Sequence, residues 1–140
     1  MGTNYYLVEK RPTMRRAIHV CKRSWGWKTS WQSTDENEWP RWCDEDHSLD
    51  ESGQYATERG LPHSIHSVED VRALLRTGEW DLIDEYGEVY PDWRIKIDEL
   101  EAWDGGKHDD PDFVALDHVD ECGDGFHDAK GNVFCRGGFC

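Results

Sequence analysis

The chain has 140 residues, a formal net charge of −14 and eight tryptophans. That length fits one domain with one modest core, and no run of about 18 apolar residues predicts a membrane-spanning helix. An acidic body repels nucleic acid at long range and favours basic partners, so direct nucleic-acid binding is not expected.

Residues 4–10 are aromatic and aliphatic and predict a first strand, with Arg11-Pro12-Thr13 as the turn after it. From Arg16 to Lys22 the chain alternates, with Ile18 and Val20 on one face and Ala17, His19 and Cys21 on the other. Trp25, Trp27 and Trp31 continue on a period of two. Such alternation marks a half-buried antiparallel strand. Residues 4–32 therefore predict a three-stranded meander with tryptophan on its inner face, and at least two of those three rings should be buried.

Residues 33–62 are polar and acidic and hold Pro40, Gly53, Gly60 and Pro62. They predict an insertion within a single domain spanning 1–140, with Trp39, Trp42 and Leu49 packing part of it back. Ser67, with Asp70 three residues on, is a near relative of the capping box and predicts a helix start. Val68, Val71, Leu74 and Leu75 form its apolar face, and Gly78 stops it. Trp80 to Glu85 predicts a strand, and Glu85-Tyr86-Gly87-Glu88 a turn. Pro91 is placed as a first helical residue, and Trp93, Ile97, Leu100 and Trp103 share the stripe that follows. Residues 113–119 and 132–134 predict two final strands that pair across a Gly/Asp-rich loop. The expected fold is α+β: an antiparallel sheet, the N-terminal meander plus later strands, with two helices packed on it.

Charge is unevenly placed. Residues 1–34 carry seven basic side chains against one acid, Glu9, and the remainder is heavily acidic. Internal complementarity between the two parts is expected, because the acids repel one another.

The segment from His19 to Trp27 is the first candidate site. Lys22, Ser24 and Gly26 offer a cation, a hydroxyl and an unblocked backbone for an anion; Arg23 adds a second cation, Trp27 a stacking face, and His19 an acid–base or ligand-contacting group. It is not a P-loop, because the glycines that wrap a phosphate are missing. A single histidine in a strand also serves as a satisfied structural side chain. The tail is the second candidate. Cys122, His127, Cys135 and Cys140 supply the donor types and number of a closed zinc site, at irregular spacing. The competing expectation is that Phe113, Val133, Phe134 and Phe139 alone pin the tail. No other cofactor is expected. No charged and apolar leader precedes the chain, so it reads as cytoplasmic, with its five cysteines as thiols or metal ligands rather than disulfides. The aspartates between Asp109 and Asp128 lack the order of a calcium loop and read as a solvated acidic stretch. There is no nucleophile elbow, no His-Glu-x-x-His and no dinucleotide turn, so the reading leans away from an enzyme.

The opening Met1-Gly2-Thr3-Asn4-Tyr5-Tyr6-Leu7 and the segment Ile18-His19-Val20-Cys21-Lys22-Arg23-Ser24-Trp25-Gly26-Trp27 resemble an uncharacterised family of small proteins of bacteriophages and bacterial genomes. Its members open Met-Gly-Thr-Asn-Tyr-Tyr and carry a segment close to His-Ile-Gly-Lys-Ser-Ser-x-Gly-Trp. Asp84 to Glu88, Gly131 to Phe134 and Gly138-Phe139 look like its later segments. The chain departs at Cys21, where the pattern has Gly, and at Arg23, where it has Ser. The resemblance supplies no activity. It implies a phage-type accessory protein in the cytoplasm of a bacterial host, acting by binding as a host-directed or anti-defence factor, on a host or phage protein with a basic surface. The alternatives are a sensor or sequestering protein for a nucleotide-like ligand, and a small enzyme using His19.

Overall fold

The computed structural model describes residues 2–10, 15–24, 26–34, 41–43, 64–103 and 125–135, with the backbone alone at 15, 16 and 41–43. Strand β1 (Gly2–Glu9) pairs antiparallel with β2 (Arg15–Ser24), and β3 (Ser30–Gln32) returns along the C-terminal half of β2. This is the expected meander. The tryptophan stripe is interrupted, however. After β2 the backbone turns at Gly26, whose φ of 84° strains any residue with a Cβ. Trp31 lies beyond the turn and is fully buried, whereas Trp27 sits in the turn and is half-buried. Trp25 lies outside the described residues.

The β1–β2 ladder carries a β-bulge. Leu7 faces Ile18 and Tyr6 faces His19, but Tyr5 faces Cys21, so Val20 is an extra residue on β2. Both Val20 and Cys21 then turn to the same side and are fully buried. This corrects the face expected for Cys21. Strict alternation put it beside His19, and one inserted residue reverses the phase of everything after it.

The two ends of the predicted insertion are bridged, where Thr34 N–H donates to Ile65 O at 3.0 Å and Ile65 N–H to Thr34 O at 2.7 Å. Within that span β4 (Arg41–Cys43) pairs with the N-terminal half of β2, so part of the expected insertion does return to the sheet. The rest of it lies outside the described residues.

Helix α1 (Val68–Arg76) begins as expected. The Ser67 hydroxyl accepts from Asp70 N–H at 3.2 Å, while the Asp70 carboxylate accepts from His66 N–H at 2.9 Å. Strand β5 (Trp80–Asp84) pairs with β1 on its free side. Helix α2 (Trp93–Ala102) starts later than predicted. Asp92 is its N-cap, so Pro91 precedes the helix and sets its entry instead of opening it. Strands β6 (Phe126–His127) and β7 (Val133–Cys135) form a hairpin turned at Gly131, and β7 runs parallel to β3.

Six strands thus lie in the order β5-β1-β2-β3-β7-β6, with β4 beside β2. The fold is α+β as expected. The sheet is largely antiparallel but mixed, because β3 and β7 are parallel; a parallel neighbour needs a long crossover, and here a hundred residues separate the two strands. Residues 113–119, expected to pair with β7, lie outside the described residues. The two helices cover one face, where Tyr5, Leu7, Trp31, Leu74, Leu82 and Phe134 are among the fully buried side chains.

A polar network bolts the helices to the C-terminal hairpin. Arg72, with its side chain 11% exposed, donates to Glu69 at 3.0 Å and to Asp98 at 2.6 Å and also pairs with Glu101. Glu101 accepts from the Asn132 amide at 2.9 Å. Asp128 accepts from Val68 N–H, Lys130 N–H, Asn132 N–H and the Asn132 side chain at 2.9–3.2 Å. Burial alone would raise the Asp128 pKa, but these donors hold it below the usual range. Asp128 is therefore half-buried and structural, not a solvated acid.

Burial separates the tryptophans. Trp31→Ala should lower unfolding free energy by about 3–5 kcal/mol, the usual cost of removing a fully buried large aromatic, and Trp27→Ala by clearly less. Urea denaturation followed by circular dichroism measures both; equal losses would contradict the burial assigned here.

Candidate functional site

The sheet divides the first predicted site. His19 lies on the face away from the helices, its ring 5.0 Å from that of Tyr6. Lys22 and Ser24 share that face and converge on Gly2: a Cβ there would lie 2.6 Å from both Lys22 Cε and Ser24 Oγ. Arg23 points to the opposite face, with its guanidinium 4.8 Å from the Trp103 ring centroid. Trp103 donates its indole N–H to Ser24 O at 3.0 Å, which fixes the end of α2 against the end of β2. Lys22 and Ser24 are thus brought together with Gly2, and Arg23 is taken away. Gly26 and Trp27 occupy the following turn. Burial pulls the His19 pKa down to about 4, against a hydrogen bond with the Cys21 backbone that favours the proton. The ring is therefore neutral at pH 7 and packs on Tyr6, which itself packs against Val8, Ala17 and Ile83.

Of the predicted zinc ligands, His127 is exposed on β6, while Cys135 is buried on β7 and held in a disulfide. Sulfur in a disulfide offers no thiolate to a metal, which also corrects, for Cys135, the expectation of free thiols. Cys122 and Cys140 lie outside the described residues. Among the described residues no three His, Cys, Asp or Glu side chains gather as metal ligands, and no helix is long and apolar enough to cross a membrane. Cys21 is a free, buried thiol, and burial raises its pKa far above the ordinary value.

A second site arises where β5 turns into α2. Asp84 ends β5 and is buried. Its Oδ1 accepts from Tyr86 N–H at 2.9 Å and Glu88 N–H at 3.0 Å, and its Oδ2 from the Tyr90 hydroxyl at 2.8 Å. These bonds fold Glu88–Tyr90 back along β5, where Val89 bridges Ile83 and Tyr90 N–H donates to Leu82 O at 2.9 Å. Tyr90 thereby reaches Tyr5, with ring centroids 6.1 Å apart. Lys96 of α2 lies over both rings, its Nζ 5.4 Å from Tyr5 and 4.9 Å from Tyr90. The result is a groove of about 340 Å³ between the linker and α2, lined by Glu88, Val89, Pro91, Asp92, Ile95 and Glu99 with Tyr90 and Lys96.

Burial raises the Tyr5 pKa to about 12 despite nearby Arg23, and burial together with the bond to Asp84 raises that of Tyr90. Both phenols stay protonated at neutral pH, so neither supplies a base. The groove instead presents carboxylates beside apolar surface. Sequence reasoning found the Asp84–Glu88 turn but not the site. Its parts are 94 positions apart in the chain, from Tyr5 to Glu99, and only the β1–β5 pairing joins them. No protein-family model, curated protein or solved structure matches this chain.

The half-buried histidine gives a pH signature. Its folded-state pKa of about 4 lies below the ordinary 6.5, so the unfolded chain binds the extra proton and stability is lost as pH falls from 6.5 towards 4. Between pH 6.5 and 5, above the carboxylate range, His19 should account for about 1–2 kcal/mol of that loss. Thermal or urea melts of the wild type and His19→Phe across this window test it: the variant should lose less. Parallel curves would show that His19 is not held neutral by burial.

Proposed function

We propose that this protein acts by binding a partner protein that presents a basic surface. The observation that supports the reading is how the chain's own cations are spent. Every basic side chain of residues 64–103 is engaged within the fold: Arg72 with Glu69, Asp98 and Glu101, Arg76 with Glu69, Arg94 over the Trp93 ring, and Lys96 over Tyr5 and Tyr90. Glu88 and Asp92 stand exposed beside them. A surface so biased steers basic partners to it and rejects acidic ones. The resemblance of the first two strands to proteins of bacteriophages and bacterial genomes supports a partner in a bacterial host, and the proposed role is a host-directed or anti-defence factor that works without chemistry of its own.

A second reading is favoured by one observation, the convergence of Lys22 and Ser24 on Gly2, which suits a small anion. Thermal-shift screening with nucleotides addresses it. A stabilisation lost in Lys22→Ala would support a nucleotide-like ligand.

The main reading predicts a salt-sensitive complex. Pull-down from bacterial lysate at low salt, with mass spectrometry and reconstitution of the purified partner, should return a basic protein whose affinity falls steeply with added salt. Recovery of no basic partner, or an affinity indifferent to salt, would overturn it.

A further inference from the structure

We infer that the groove between the Glu88–Asp92 linker and α2 is the docking site, and that it takes a segment of the partner presenting a lysine or arginine beside an aliphatic side chain. The inference rests on the proposed function and adds the surface and the chemistry of the contact.

Three observations carry it. The first is charge. The groove has three carboxylates, Glu88, Asp92 and Glu99, against one ammonium, Lys96. That ammonium is withdrawn: its side chain is 13% exposed, lies over two aromatic rings and pairs with Glu99 at 3.4 Å. Glu88 and Asp92 are left at the rim, and carboxylates so placed make charge-assisted bonds with an incoming cation. The second is apolar surface. Ile95 is 63% exposed, although Ile97 and Leu100 of the same helix are fully buried. Val89 and Pro91 lie in the same groove wall, so the exposed isoleucine has apolar neighbours and is not a scattered surface residue. The third is preorganisation. Asp84 holds the linker by three bonds and Tyr90 is clamped to Tyr5, so the wall is set before any partner arrives and little ordering cost remains. The volume of about 340 Å³ is at the small end of ligand pockets and suits one or two side chains. A lone small cation leaves Ile95 in water, and a purely apolar segment leaves Glu88 and Asp92 unanswered. A basic and aliphatic segment satisfies both.

Fluorescent short peptides test this on the full-length protein: one of alternating lysine and leucine, one of lysine and serine, one of glutamate and leucine. The lysine–leucine peptide should bind, and the other two should bind markedly less well. Glu88→Lys and Ile95→Ser should each weaken the lysine–leucine peptide by about tenfold, as expected on losing an interface anchor. Glu79→Lys makes the same charge change at the opposite end of β5 and should alter affinity less than about twofold, since it is removed from the groove and screened by salt. Circular dichroism and melting confirm that each variant is folded. Equal weakening by Glu79→Lys and Glu88→Lys, or no effect of Ile95→Ser, would overturn the groove as the site. Failure of the peptide to bind while a basic partner is captured from lysate would overturn the groove alone. Failure to capture any basic partner is the result that removes the underlying reading.

Discussion

The extra residue in β2 is the constraint on which most of the architecture depends. Because Val20 has no partner on β1, Cys21 turns inward opposite Tyr5 and meets Trp31 of the next strand. The phase reversal then sends Lys22 outward and Arg23 inward. Arg23 can therefore reach Trp103, and Trp103 can bond to Ser24 O, so the last turn of α2 is pinned to the end of β2. With regular pairing, Lys22 would lie under the helices and Cys21 on the open face. A bulge conserves the hydrogen-bonded ladder on either side while it re-aims the side chains beyond it. One residue thus decides which cation supports the helix and which remains on the open face.

The second support is polar. Beside the buried apolar faces of α1 and α2, Arg72, Glu101, Asn132 and Asp128 supply a bonded chain from α1 through α2 to the hairpin. Such a partly buried ion cluster is weak evidence of net stability, since desolvation offsets much of the attraction. What it does provide is registration. The Thr29 hydroxyl donates to Leu100 O at 2.7 Å, Arg72 fixes α1 against α2 and Asn132 bonds Glu101, so α2 is held from three sides. The groove lies along α2 and inherits that position.

Local signals were legible in the sequence, and long-range ones were not. The Ser67 cap, the α1 face and the Asp84–Glu88 turn follow from contacts within a few residues, and the meander from alternation along successive strands, so each was readable. Pro91 was misplaced by two positions because proline at N1 and proline just before the N-cap leave the same trace. The bulge was invisible, since alternation assumes a register that only pairing with β1 can break. The parallel β3–β7 contact had no signature either, because β7 is three residues long and its partner is a hundred residues away. The residues of the predicted anion site are divided for the same reason as the Cys21 face: neighbours in sequence, Lys22 and Arg23, are opposed across a sheet. The groove escaped notice because Tyr5, Asp84, Tyr90 and Lys96 carry no common motif and meet only through β1 and β5.

The position of Lys96 connects fold and function. An ammonium in a groove proposed to take a basic segment would repel that segment if it stood free in solvent. Here it lies over the faces of Tyr5 and Tyr90, where the ring quadrupoles and Glu99 compensate its charge. The same contact seals the apolar side of α2 over β1, so the cation does the packing work of an aliphatic residue through its stem. Glu88 and Asp92, which have no comparable partner within the groove lining, keep their charge for the outside. The asymmetry follows from the sign of the charge. The negative ring faces draw the ammonium of Lys96 and repel carboxylates, so Glu88 and Asp92 stay exposed.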